Sequence, residues 1–207
     1  IHDGYLMFHD LQTGKINAIK ITELTLERQD GPLPLKIALK GGYNKKGIAL
    51  EGGISLLSDL LTSSKDWAFE LAIKAERSEV TLAGRLQRSS GDAPPRLEAT
   101  VKGPQLDVRP WLAGAETKPA AAQRNTGRVF SDDPLPFAIL HNLDLQADID
   151  IKKVLLPHNA LDNVQTAVRI DGGRLEVGPV RAIAGGGDYQ AHFKIDAQAK
   201  LPKVKAT

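Results

Sequence analysis

WAFELAIKAE (67–76) places Trp67, Phe69, Leu71, Ile73 and Ala75 on one side of an extended chain. Ala68, Glu70, Ala72, Lys74 and Glu76 fall on the other. Period two is the mark of a strand with one buried face. The pattern recurs along the sequence. In LDLQADIDI (143–151), Leu143, Leu145, Ala147, Ile149 and Ile151 oppose Asp144, Gln146, Asp148 and Asp150. In DYQAHFKIDAQ (188–198), Tyr189, Ala191, Phe193, Ile195 and Ala197 oppose Gln190, His192, Lys194, Asp196 and Gln198. NVQTAVRI (163–170) and shorter runs at Leu35–Leu39, Val80–Leu86 and Leu97–Val101 follow the same rule. One-sided alternation predicts antiparallel sheet with one solvated face, because buried parallel strands read as continuous apolar runs. In RIDGGRL (169–175), DGG between two strands is a hairpin signal. The fold class expected is all-β with a few short helices: a curved antiparallel β-sheet, either an open groove or an incomplete barrel.

Two segments break the period. ISLLSDLLTS (54–63) carries apolar residues at 54, 56, 57, 60 and 61, and PLPFAILHNL (134–143) at 137, 139, 140 and 143. That spacing predicts a short helix in each. Each precedes a long alternating strand, and the two units lie about 75 residues apart, which hints at an internal duplication. Between them AGAETKPAAAQRNTG (113–127) has no side chain able to anchor a core and reads as a flexible linker. The expected organisation is an N-terminal β lobe over 1–112, the linker over 113–127 and a C-terminal β lobe over 128–207.

Composition narrows the function. The 207 residues fit one large or two small domains, and 42% apolar content allows a core. Aromatics make up only 5%, so Leu, Ile, Val and Ala supply most of the buried surface. The 27 basic and 25 acidic residues are interspersed and leave a net charge of +2, too little to steer nucleic acid. Cysteine is absent, which excludes disulfides, thiolate metal sites and cysteine nucleophiles. No window approaches the roughly 20 apolar residues of a membrane span, and no signal peptide is visible. The start at Ile1 in mid-pattern and the end in KLPKVKAT (200–207) read as a piece of a longer chain.

Candidate chemistry is sparse. His2, His9, His141, His158 and His192 show no metal-ligand spacing. Asp144, Asp148 and Asp150 share one face of an extended strand, where ligands do not converge as they do in a loop. Nucleophile-elbow, P-loop and dinucleotide signatures are missing. In FSDDPLPF (130–137), Ser131, Asp132, Asp133 and Pro134 read as a helix start: a first-turn proline is tolerated, and acids favour the positive helix end. The rival reading makes Asp132–Asp133 a catalytic pair acting on envelope glycans.

The string GRVFSDDPLPFAILHNLDLQADIDIKKVLLPHNALDNVQTAVRIDGGRLEVGPVRAIAGGG (127–187) resembles the C-terminal signature of the AsmA family. The residues that carry this are Phe130, Ser131, Asp132, Pro134, Leu135 and Pro136; Asp148 and Asp150; Leu161, Asn163 and Val164; Asp171, Gly172, Leu175 and Pro179; and Gly185–Gly187. LQTGKINAIKITELTLER (11–28), LKIALKGGYN (35–44), ISLLSDLL (54–61) and GPQLDVRPWL (103–112) extend the likeness over nearly the whole chain. The resemblance implies a bacterial envelope protein. Its bulk would lie in the periplasm, held to the inner membrane by an N-terminal helix missing from this sequence. It implies a β-groove that carries phospholipid acyl chains in outer-membrane homeostasis, and no catalysis. It gives Asp132 and Asp133 a structural role.

Periodicity tells which face is apolar and not what covers it. The faces could close on each other as a sandwich core or remain an open trough. A nine-residue strand spans roughly 30 Å at ~3.3 Å per residue, long enough to run beside an acyl chain. Each inward Leu, Ile or Phe contributes about 1.5–3 kcal/mol when removed from water. The expected lining is Trp67, Phe69, Leu71, Ile73, Leu145, Ile149, Ile151, Tyr189, Phe193 and Ile195. No catalytic residue, metal or cofactor is expected. The expected partners are phospholipid, the inner membrane and, on the alternative reading of a closed-core scaffold, other envelope proteins.

Overall fold

The computed structural model describes residues 1–9, 16–43, 46–61, 66–89, 93–109, 139–198 and 203–207. Twelve strands form one sheet in sequence order. They are β1 (His2–His9), β2 (Ile16–Arg28), β3 (Leu35–Tyr43), β4 (Lys46–Ile54), β5 (Trp67–Ala75) and β6 (Ser78–Gln87). Then come β7 (Arg96–Asp107), β8 (Asp144–Leu155), β9 (Ala160–Asp171), β10 (Arg174–Ala184), β11 (Gly187–Asp196) and β12 (Lys203–Ala206). The sheet is not closed. Among the described residues β1 pairs with β2 and β12 with β11, so these two strands end the sheet's order.

Tight hairpins make this order. The turn between β9 and β10 is Gly172–Gly173, with φ of +51° and +85°. Both central residues sit in the left-handed region, where the turn twist matches the strand twist. Gly185–Gly186 repeats the device between β10 and β11, with φ of +56° and +82°.

Ten of the eleven ladders are antiparallel, as the alternation predicts, and one is not. β7 and β8 run parallel, from Arg96 opposite Asp144 to Asp107 opposite Leu155. A parallel pair requires a crossover of about a dozen residues or more, and the segment between Asp107 and Asp144 has that length. The predicted linker and the cap residues Ser131, Asp132, Asp133 and Pro134 lie in it, outside the described residues.

The predicted helices fall partly on described residues. Among the described residues of 54–63, Leu57–Leu61 forms a 3-10 turn. Ile54 and Ser55 are claimed by the sheet instead. The Ser55 amide donates to the Ala68 carbonyl at 2.8 Å, and the Ala68 amide donates to Ser55 Oγ at 2.9 Å. The hairpin ladder thus runs on to Ser55. Over 134–143 a single helical turn, Ile139–Asn142, is described. It docks on the β9–β10 hairpin: the Gly173 amide donates to the Leu140 carbonyl at 3.0 Å, and Leu140 is buried.

The end of β7 is held by an ion pair and by a bond to β6. Arg109 Nη2 lies 2.6 Å from Asp107 Oδ2, Arg109 Nε donates to Oδ1 at 2.8 Å, and the Asp107 amide donates to buried Ser78 Oγ at 2.9 Å. The hydrogen bond from Arg109 holds the Asp107 carboxyl below the usual carboxylate range, against the opposing effect of desolvation. A depressed folded pKa contributes stability above the unfolded value of about 3.9 that is lost as pH falls through the folded value. Chemical denaturation of Asp107→Asn is therefore expected to show lower stability at neutral pH and a shallower loss on acidification than the parent. Parallel acid limbs for the two proteins would show that the pair contributes nothing.

Candidate functional site: the apolar face of the open sheet

Directly paired residues in adjacent strands share a face. Following the registers shows that the apolar stripes of separate strands merge into one surface. One row runs Leu26, Ile37, Gly52, Leu71, Leu82, Val101, Ile149 and Thr166, from β2 to β9. A second runs Trp67, Leu86, Leu97, Leu145, Ile170, Leu175, Ile195 and Val204, from β5 to β12. Between them lies Ile54, Phe69, Gly84, Ala99, Ala147, Val168, Val177 and Phe193. At its centre, small Gly84, Ala99 and Ala147 are flanked by Leu86, Leu97 and Leu145 on one side and by Leu82, Val101 and Ile149 on the other. This is a furrow, and it runs across the strands. The acyl path anticipated along a single strand is thus replaced by one over several strands, each step about 4.8 Å.

Adjacent strands approach closely on this face. A Cβ added at Gly41, Gly52, Gly84 or Gly103 would run into a carbonyl oxygen of the adjacent strand: Lys20, Glu70, Glu98 and Glu79 respectively. In a flat sheet Cβ stands clear of its neighbours. Bending of the sheet towards that face, or a bulge such as those beside Gly41 and Gly103, brings the neighbour's carbonyl over that position. All four glycines lie on the apolar face, opposite Ile21, Leu71, Phe69 and Ile151.

All ten predicted lining residues lie on strands of this sheet, and they differ in cover. Ile151 is fully buried and Phe69 is 8% exposed. Trp67, Leu71, Ile73, Leu145, Ile149 and Ile195 are half-buried. Tyr189 and Phe193 are 60% and 43% exposed. A closed core would bury most of them. The Trp67 and Phe69 rings meet at a tilt of 39°, with centroids 5.7 Å apart. Trp67 Nε1 is buried and has no hydrogen-bond partner among the described residues; an orphan donor of this kind costs free energy to leave unmade.

The opposite face is laced with ion pairs between adjacent strands. Examples are Lys74–Glu79 at 3.1 Å, Arg85–Glu98 at 2.6 Å and Arg174–Asp196 at 3.4 Å. Glu176 meets Lys194 Nζ at 2.9 Å and His192 Nε2 at 2.8 Å, and these hydrogen bonds, Lys194's foremost, hold its carboxyl below the usual range. Such exposed pairs contribute little each, and their role is to keep this face in water. Shallow depressions on it, one lined by Ala38, Ala49 and Ala72 and rimmed by Glu23, Lys40, Glu51 and Lys74, are polar-edged. Among the described residues no cluster of His, Asp and Glu could hold a metal ion, and no helix is long and apolar enough to cross a membrane.

Sequence reasoning missed the furrow. Its floor is made of Gly84, Ala99 and Ala147 on three strands, and only the registers bring them together. Compared with protein-family models, curated proteins and solved structures, the chain matches none.

Proposed function

We propose that the chain binds phospholipid acyl chains along the concave apolar face, as the periplasmic part of an AsmA-like protein held to the bacterial inner membrane. It makes and breaks no bonds. The observation that carries this reading is the cover of the face: Leu71, Leu145 and Ile149 are only half-buried in mid-sheet, and among the described residues no second layer of strands lies above them. That leaves apolar surface whose removal from water favours a hydrocarbon guest at about 25 cal/mol per Å2. The bent sheet supplies the trough, and the ion-paired outer face supplies the solvated wall. The AsmA-like motifs supply the envelope setting. A closed-core scaffold is the weaker reading, because a closed core leaves no such surface.

Native mass spectrometry of the protein purified from bacterial membranes tests this. Bound species at phospholipid masses are expected, released by organic extraction. A clean protein mass after gentle purification, with no uptake from phospholipid vesicles, would sink the proposal.

A further inference from the structure

We infer that Phe69 is a stop at one end of the furrow and sets the length of acyl tail that the face accepts, an inference that rests on the lipid-binding reading above. The floor of the furrow rises abruptly at β5. Followed across the strands from β10, it runs Val177, Val168, Ala147, Ala99 and Gly84, and then meets Phe69 and Ile54. Gly84, which has no side chain, would be its lowest point. Yet a Cβ added there would lie 3.0 Å from Phe69 Cζ, so the tip of the ring overlies the glycine. A tail lying on Ala99 cannot pass on over Gly84 without displacing that ring.

The ring is held where it stands. Phe69 is 8% exposed, and Ile54, directly opposite it on β4, is 4% exposed. Along β5 the Trp67 ring leans against it. A ring packed against neighbours on two sides does not swing aside as an exposed side chain does. The length left open fits one tail. From Ala99 to Val177, before the next ring at Phe193, the furrow crosses three strand steps, roughly 14 Å at ~4.8 Å each. One tail spans about half of the ~30 Å hydrocarbon core of a bilayer, or about 15 Å. Uncovering Gly84 would add one more step, about a third of a tail. The stop therefore stands where a change of one strand's width changes which tails fit.

Each methylene taken from water changes affinity about fourfold, so a shift of the stop reads out as a change in preferred tail. Native mass spectrometry with an equimolar mixture of lauroyl, myristoyl and stearoyl lysophosphatidylglycerol measures that preference. Phe69→Ala opens the floor over Gly84 and is expected to raise the bound stearoyl-to-myristoyl ratio at least about tenfold over the parent. Ala99→Leu advances the stop by one strand and is expected to lower the myristoyl-to-lauroyl ratio about tenfold. This second variant adds bulk at a half-buried position and leaves Phe69 in place, so it carries the test if Phe69→Ala fails to fold. Lipid-bound variants that keep the parent's ratios overturn the inference and leave the lipid-binding reading standing. A parent that takes up none of the three lipids overturns that reading and the inference with it.

Discussion

Leu71→Glu combined with Ile149→Glu is expected to lower phospholipid occupancy at least tenfold while leaving the sheet folded. The two residues share one row of the inner face, on β5 and β8. Both are half-buried. A guest lying on the furrow would take the remaining exposed part of each from water, worth on the order of 1 kcal/mol per residue as a fraction of full side-chain burial. A carboxylate there loses that gain and adds a desolvation cost whenever hydrocarbon covers it. Two such sites exceed the ~1.4 kcal/mol that corresponds to a factor of ten. In the lipid-free protein each carboxylate keeps its water, so the cost to folding is smaller than at fully buried Ile151. The matched control is Thr81→Glu with Gln165→Glu. It adds the same charge to exposed positions on the outer face, opposite Lys102 and Arg181 respectively. Lipid counted by mass spectrometry after identical purification should fall in the first pair and hold in the second. Equal occupancy in both would separate lipid binding from the inner face and leave the concave surface without its proposed role.

The inner face was legible one strand at a time. Trp67 to Ala75, Leu145 to Ile151 and Tyr189 to Ile195 alternate cleanly because one side of each meets water and ion pairs. What alternation cannot carry is neighbourhood. Ile151 and Tyr189 occupy equivalent phases in their strands, yet one is fully buried and the other 60% exposed. Ile151 sits in mid-sheet under β7 and β9, whereas Tyr189 lies towards the edge, on a strand whose outer neighbour β12 pairs only with Phe193 to Asp196. β1 escaped notice because its apolar run does not alternate. β4 escaped because Gly52 interrupts the apolar phase where Leu or Ile would mark it. The parallel β7–β8 ladder is invisible to periodicity, since a half-buried strand reads the same in either direction. The capping of Ser131–Pro134 lies outside the described residues, so the structural reading of Asp132–Asp133 rests on the motif.

Gly52→Ala and Gly84→Ala are each expected to destabilise the fold by about 3 kcal/mol, at the upper end of the range for overpacking. In most contexts the same exchange in extended backbone is mildly stabilising, by about 0.4–1 kcal/mol, because alanine restricts the unfolded chain. The sign reverses here because the added methyl meets backbone. At Gly52 it would strike the Glu70 carbonyl, and at Gly84 the Glu98 carbonyl together with the Phe69 ring, whose Cζ lies 3.0 Å from the added position. A side chain could rotate away; a ladder carbonyl cannot move without pulling its hydrogen bond with it. Relief would come only by flattening the sheet, which opens the trough and exposes Phe69. Gly47→Ala is the internal standard. It lies in the same strand as Gly52, on the outer face, with nothing within 4 Å of an added Cβ. Denaturant midpoints should therefore place Gly47→Ala at or above the parent and Gly52→Ala well below it, a spread of about 3–4 kcal/mol. If the two variants unfold together, the strands do not approach so closely, the sheet is not bent at that point, and the concavity that makes a trough of this apolar face is lost with it.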